Sequence, residues 1–120
     1  MEFQPRTEKE IAESVLLSRG EYSFEILNAM EKKSLAGNDM IELSVRVFRN
    51  GHNRLMTDYI LPLRPAKFRN CCVACNVEEK YLNGSVRDED FIGRRGKLKV
   101  GVERARKGYP PRNVIVDYLF

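Results

Sequence analysis

The segment from Met40 to Phe48 constrains the fold more than any other part of the chain. Ile41, Leu43, Val45 and Val47 fall on one side of it, and the residues between them are mostly polar or charged. Strict alternation of this kind is typical of a β-strand with one buried and one outward face. The pattern therefore predicts a half-buried strand with Ile41 to Val47 facing a core.

A tight turn follows this strand directly. Asn50-Gly51 consists of two residues that tolerate the positive φ needed in a two-residue hairpin turn. The segment from Leu55 to Leu61 is then predicted to pair back against the first strand of the hairpin. The central unit of the protein is thus expected to be an antiparallel β-hairpin, formed by strands two and three.

Three further segments alternate in the same way and are predicted as strands one, four and five. Their expected inward positions are Tyr22, Phe24 and Ile26 in the first, Leu98, Val100 and Val102 in the fourth, and Val114, Val116 and Tyr118 in the fifth. Pro62 and Pro65 end strand three, and residues 66–75 then place apolar side chains at helical spacing. A short helix is expected between strands three and four.

Five short strands with a helix between the third and the fourth follow the order of an OB-fold. The predicted fold class is all-β with one helix, as a five-stranded OB-fold barrel, and an SH3-like or other small barrel is the structural alternative. Residues 1–19 are predicted to be an N-terminal lead-in, and residues 20–120 the OB-fold domain.

Composition limits the class of protein. Hydrophobic residues make up 42% of the 120 residues and charged residues 32%, which is too apolar for a disordered chain and too charged for a membrane protein. No secretion signal is visible at the start, so cytoplasmic residence is predicted. Cys71, Cys72 and Cys75 are crowded within five residues, and they are interpreted as small buried residues on the helix.

Positive charge is concentrated in one segment. Nine basic and four acidic residues lie between Gly84 and Arg112, a local excess of five positive charges in a chain whose net charge is +4. Such a concentration can form an electrostatic footprint for a polyanion, although a solvated surface has the same appearance.

Catalytic machinery is difficult to find in the sequence. His52 is the only histidine, which leaves no basis for a Ser-His-Asp pair or an HExxH motif. Gly93-Arg94-Arg95-Gly96-Lys97 is interpreted as a turn entering strand four, and Asp88-Glu89-Asp90 as a solvated acidic turn. The chain is expected not to be an enzyme and to need neither a cofactor nor a metal.

A binding role is easier to justify, because OB-folds hold single strands across strands two and three, between the loops that join strands one to two and four to five. The first loop is expected to carry Lys32 and Lys33, the second to carry several cations around Tyr109, and the face between them to carry rings that can stack on bases. The predicted site residues are Lys32, Lys33, Arg46, Phe48, Arg49, Arg54, Tyr59, Arg104, Arg106, Lys107, Tyr109 and Arg112. Tyr109 is the strongest candidate for stacking, whereas Phe48 and Tyr59 fit either stacking or packing.

Two stretches resemble a phage-borne family of formerly unknown function. The first runs from Gly20-Glu21-Tyr22-Ser23-Phe24-Glu25-Ile26 through residues 29–43, and includes Lys33-Ser34 and Gly37-Asn38; the second is Tyr109-Pro110-Pro111-Arg112-Asn113-Val114 with Asp117-Tyr118. Members of that family are similar to OB-fold single-stranded DNA-binding proteins that accompany phage replication and recombination genes. The resemblance implies a non-sequence-specific, single-stranded DNA-binding role in the cytoplasm of a bacterial host.

Other functions remain open at the level of sequence. The chain could instead be a protein-interaction module of the phage replication or recombination machinery, docking a partner on the outward face of strand two. A nuclease accessory or small hydrolase is a third alternative. The expected partners are single-stranded DNA and phage replication or recombination proteins, with no membrane; strand five and Phe120 offer a surface on which two copies could pair.

Overall fold

The computed structural model describes residues 1–8, 16–50, 53–104 and 107–120, and these residues form a mostly β fold. Five strands are joined in antiparallel pairs into one sheet, and two α-helices lie between the third and fourth strands, where the sequence predicted one. The elements are β1 (Gly20–Lys33), β2 (Asp39–Val47), β3 (Arg54–Ile60), α1 (Pro65–Ala74), α2 (Glu78–Leu82), a 3-10 turn at Asp88–Asp90, β4 (Arg95–Glu103) and β5 (Arg112–Leu119). None of the helices in these ranges is long and apolar enough to cross a membrane.

The strands lie side by side in the order β3-β2-β1-β4-β5. β1 is the central strand, since its first half pairs with β4 through Gly20 to Glu25 and its second half pairs with β2 through Phe24 to Lys33. The sheet is not closed by strand pairing among the described residues, and β3 and β5 are its edges. The predicted hairpin is present, with Val47 paired to Arg54, although Gly51 of its turn lies outside the described residues.

A bulge in β1 changes where the first loop begins. The register with β2 shifts between Ile26 and Asn28, and Ala29 then returns to the core. Pairing consequently continues as far as Lys33. The prediction that Lys32 and Lys33 belong to a loop was therefore wrong, because both are the last residues of a paired strand and the loop is confined to residues 34–38.

A second bulge corrects the inward face of β5. Lys99 pairs with Asp117 and Val100 pairs with Ile115, so that Val116 is an extra residue without a direct partner. The buried positions are therefore Ile115 and Tyr118, and Val116 is exposed, contrary to the alternation predicted from sequence. Gly101 lies against this bulge, and a Cβ there would approach Val116 Cγ2 to 2.7 Å, so a larger residue at this position would force the Val116 side chain to move.

The core lies between the inner face of the sheet and α1. The ring of Phe24 meets Tyr118 edge-on with centroids 5.4 Å apart, which packs β1 against β5. The three cysteines are buried, as predicted; Cys71 and Cys72 lie on α1, and Cys75 is the C-cap residue that follows it. Burial raises the pKa of Cys72 to about 12, with a smaller contribution from the neighbouring Cys75, so its thiol is protonated and unreactive at neutral pH.

Side chains link the two edge strands where backbone pairing does not. The buried carboxylate of Asp58 on β3 accepts hydrogen bonds from the Tyr118 hydroxyl at 2.8 Å and from Lys67 Nζ at 2.9 Å. Lys67, on α1, also donates to the Ile115 carbonyl of β5 at 2.9 Å. We call Asp58, Lys67 and Tyr118 the seam, because they connect β3, α1 and β5 across the open side of the sheet.

The acidic turn has a structural role. Asp90 is buried, accepts a hydrogen bond from the Arg87 amide at 2.8 Å and is ion-paired with Lys80. The hydrogen bond from Lys80 is the main cause of a lowered pKa at Asp90. Asp88 accepts hydrogen bonds from the amides of Glu31 and Glu89. The carboxylates of Asp88 and Asp90 therefore fasten the 3-10 turn to β1 and α2.

Candidate nucleic-acid interface

The sheet has an outward face opposite the core, and the strand register shows which side chains belong to it. Residues paired directly across two strands project to the same side. Glu42 is paired with Tyr59 and with Met30, and Arg46 is paired with Leu55 and Glu25. Glu25, Glu42, Arg46 and Tyr59 each lie between two buried residues of their strands, and Met30 and Leu55 are their exposed cross-strand partners. Strands β1, β2 and β3 therefore share one outward face that includes the predicted site residues Arg46 and Tyr59.

A row of three charged residues crosses the centre of this face. Glu25 on β1 is the cross-strand partner of Arg46 on β2 and also of Arg95 on β4. Its carboxylate lies 3.2 Å from both Nε and Nη2 of Arg95, and 3.7 Å from Nη1 of Arg46. We call these residues the Arg-Glu-Arg row. One carboxylate between two guanidinium groups leaves the row with a net charge of +1.

A second carboxylate lies nearer the β1–β2 loop. Glu42 is ion-paired with Lys32 Nζ at 2.8 Å and accepts a hydrogen bond from the Tyr59 hydroxyl at 3.1 Å. The hydrogen bond from Lys32 is the main reason why the pKa of Glu42 is lowered, and the same bond raises the pKa of Lys32. The predicted phosphate ligand Lys32 is thus already neutralised by a carboxylate of its own chain.

Three of the predicted rings lie outside the hydrophobic core. Tyr59 is 45% exposed in the middle of the outward face, and Tyr109 is 75% exposed between β4 and β5. Phe48 is half-buried just beyond β2, where its amide donates to the Ser23 carbonyl at 2.9 Å, and its ring is not among those packed on the core. These rings are available for stacking, whereas Phe24 is fully buried.

The β4–β5 loop forms the other predicted part of the site. Arg104, Lys107 and Tyr109 are exposed there, while Arg106 lies outside the described residues. Arg112 is the first residue of β5, and its Nε lies 2.8 Å from the Glu103 carboxylate. Arg104, Tyr109 and Arg112 line a shallow concavity of about 340 Å³. A small open depression is therefore surrounded by one ring and two arginines, one of which is paired with the carboxylate of Glu103.

Two predicted site residues do not lie on the outward face. Lys33 on β1 is paired with Asp39 on β2, two residues before the buried Ile41, and the two side chains form an ion pair. Arg54 is paired with the buried Val47. Both side chains therefore start from the core-facing side at the ends of their strands. Alternation alone did not reveal this, because the bulge in β1 and the exact pairing of β3 decide which side each residue takes.

The two loops lie at opposite ends of β1. The β1–β2 loop follows Lys33, whereas the pairing of Gly20 with Val100 puts the β4–β5 loop beyond the first residue of β1. Arg95 and Glu103 are eight positions apart along β4, which corresponds to about 26 Å in an extended strand. Arg49 is exposed beyond β2 at the end of the sheet that includes Phe48. The Arg-Glu-Arg row thus lies between the predicted loops.

A larger groove borders β1 and β2 on the side of the sheet that faces the helices. It has a volume of about 890 Å³ and lies between the helices and the end of the sheet where β1 ends and β2 begins. Phe68, Tyr81 and Val86 are among its apolar residues. Its charged residues are two lysines and two acids, Lys32, Lys33, Glu31 and Asp39, which balance one another. The groove therefore offers no net charge to a polyanion, and the outward face is the better candidate for a nucleic acid.

Sequence reasoning missed three residues of this site, Glu25, Glu42 and Arg95. The sequence pattern predicts a turn at Arg95, but Arg95 is the first residue of β4 and projects outward beside Glu25. The outward position of Glu25 could be inferred from its place between Phe24 and Ile26. Its two arginine partners could not be inferred, because they depend on the registers of β1 with both of its neighbours.

Comparison with protein-family models and with curated proteins gave no match.

Proposed function

We propose that this chain is a non-sequence-specific single-stranded DNA-binding protein with an OB-type fold. The strand order supports the fold, because an OB barrel read from its third strand around to its fifth has the order β3-β2-β1-β4-β5. The helix lies between β3 and β4, as that fold requires, and the seam ties together the two strands that would be neighbours in a closed barrel.

The observation that carries the functional proposal is the outward face itself. It combines the exposed ring of Tyr59 with the cations of the Arg-Glu-Arg row, and exposed Tyr109 lies in the loop at one end of β1. Rings stack on bases of any sequence, and arginines bind phosphates whatever the base. Together these groups suit an unpaired polynucleotide whose bases are accessible.

Duplex DNA is a poorer match for this surface. A duplex hides the faces of its bases within the stack, so exposed tyrosines would have little to bind. Sequence-specific duplex readers usually insert a helix or a two-stranded ribbon into the major groove. Here α1 is covered by the sheet on its Phe68 and Cys72 side, and the charged centre of the outward face is a broad sheet surface.

A role in phage replication or recombination is part of the proposal.

Alanine replacement of the exposed rings tests the proposal. Tyr109→Ala and Tyr59→Ala should each weaken binding of a fluorescent oligothymidine by about 1–3 kcal/mol, the usual contribution of one base–ring stack. Tyr109→Phe should retain most of the affinity, because stacking needs the ring and not the hydroxyl. Anisotropy titration of each variant measures the change.

The matched control is Phe3→Ala in the N-terminal lead-in, where a ring is 74% exposed but remote in sequence from the proposed face. This control should bind like the unmodified protein. Equal affinities for Tyr59→Ala, Tyr109→Ala and Phe3→Ala would contradict stacking on the outward face. Partner capture that persists after nuclease treatment would then favour the protein-interaction alternative.

A further inference from the structure

Arg95 and Glu25 extend the candidate site beyond the strands that were expected to form it. The predicted platform involved β2 and β3, with loops at either end, and gave β4 no part in binding. Arg95 nevertheless projects from β4 on the same side as Arg46, and its side chain is 70% exposed. A guanidinium that exposed can reach a phosphate while still holding its partner in the protein.

We propose that Arg95 binds a backbone phosphate of the DNA strand and that Glu25 is a positioning residue that holds Arg95 and Arg46 ready for this contact. The proposal rests on the single-stranded DNA-binding function and adds to it a path for the DNA. The strand crosses from β2 over β1 to β4 at the level of the Arg-Glu-Arg row.

The geometry of the row supports a positioning role for the carboxylate. Glu25 is flanked directly by both arginines, and neighbouring strands are about 4.8 Å apart, so the Cα atoms of Arg46 and Arg95 are separated by about 10 Å. The Glu25 side chain is only 19% exposed, whereas those of Arg46 and Arg95 are 40% and 70% exposed. The carboxylate therefore lies below the two guanidinium groups, and a ligand meets the cations first.

Pre-organisation explains why a carboxylate would assist the binding of an anion. An arginine side chain has many rotamers, and fixing one of them on binding has an entropic cost. Arg95 uses Nε and Nη2 to contact Glu25 Oε2, and its remaining N–H groups are left for a phosphate oxygen. Glu25 thus orders the arginine in the free protein while leaving the row positively charged.

Substitution of Glu25 distinguishes positioning from simple charge. Glu25→Gln removes a negative charge, and on charge alone it should strengthen DNA binding. If Glu25 positions the arginines, Glu25→Gln should instead weaken oligothymidine binding, by about three- to tenfold at low salt. In an Arg95→Ala background the same substitution should weaken binding less, because Arg46 is then the only member of the row that Glu25 still positions.

The matched controls come from an ion pair on the helices. Arg69 on α1 lies 3.8 Å from Glu78 on α2, and both side chains are about half exposed. Glu78→Gln and Arg69→Ala produce the same changes in charge as Glu25→Gln and Arg95→Ala, but away from the outward face. They should change affinity less than about twofold, in the direction given by charge.

Anisotropy titration of an oligothymidine over a range of salt concentrations is the experiment. Arg95→Ala should weaken binding by about three- to tenfold and make the slope of log K against log salt shallower by about 0.7, as expected for one lost phosphate on a single strand. Thermal unfolding confirms that each variant is folded. Arg95→Ala is informative even if Glu25→Gln unfolds, because the Arg95 side chain is largely exposed.

Three results would overturn the inference. Arg95→Ala could behave like Arg69→Ala, its salt slope could equal that of the unmodified protein, or folded Glu25→Gln could bind at least as tightly as Glu78→Gln. If the unmodified protein does not bind oligothymidine at all, the proposed function fails together with the inference. If it binds normally and only the Arg95 and Glu25 variants give the contrary result, the inference alone fails.

Discussion

Glu25 and Glu42 occupy similar places on the outward face, but they serve different numbers of cations. Glu25 lies between two arginines, whereas Glu42 neutralises a single lysine and accepts a hydrogen bond from Tyr59. A lysine is a flexible point charge that gains little from being held, while the planar guanidinium of arginine gains from a fixed orientation. The two carboxylates should therefore have opposite effects on DNA binding.

Glu42→Gln is expected to strengthen oligothymidine binding by up to about fivefold at low salt, because it removes a negative charge from the outward face and releases Lys32 to contact a phosphate. Glutamine keeps an oxygen for the Tyr59 hydroxyl. Glu78→Gln corrects for the change in net charge. Weaker binding by Glu42→Gln than by Glu78→Gln would show that Glu42 helps to build the site.

At the scale of elements, local patterns predicted the strands and α1 well but not the faces of every residue. Alternation located β2 within one residue at each end, and helical spacing located the buried Phe68, Cys72 and Cys75. The bulges in β1 and β5 were not predicted, because a single extra residue in a strand is difficult to recognise from the alternation of polar and apolar residues. Those bulges decide the positions of Lys33 and Val116.

The seam gives a prediction at the same scale. Tyr118→Phe removes the hydroxyl that donates to Asp58 at 2.8 Å, and both side chains are buried. Asp58 would keep Lys67 but lose one of its two donors, so the free energy of unfolding should fall by about 1–3 kcal/mol. Urea denaturation followed by circular dichroism measures this. Tyr59→Phe is the control, because its hydrogen bond to Glu42 is exposed to solvent and its loss should lower the free energy of unfolding much less than the loss of the buried one. Equal losses in the two variants would mean that the seam adds no specific stability.

At the scale of the whole molecule, the order of the elements could be predicted from the sequence. The pairing of charged side chains on the surface could be determined only from the structure. The order of strands and helix in the sequence predicts an OB-type barrel, and the structure shows five antiparallel strands in one sheet, in the order β3-β2-β1-β4-β5, that is open between β3 and β5. Counting charges gave a basic segment near the end of the chain. The structure shows that Arg112, Arg46 and Lys32 already have carboxylate partners. A count of charges could not identify these partners, because they depend on which strands pair and in which register.

The central claim is that this face binds unpaired DNA through phosphates and base stacking. Its most direct test is the affinity of the unmodified protein for a fluorescent oligothymidine and for a duplex of the same length, each measured from low to moderate salt. We expect tighter binding to the single strand, with log K falling linearly with log salt by about 0.7 for each phosphate contacted. Binding that is insensitive to salt, or that favours the duplex, would contradict the account.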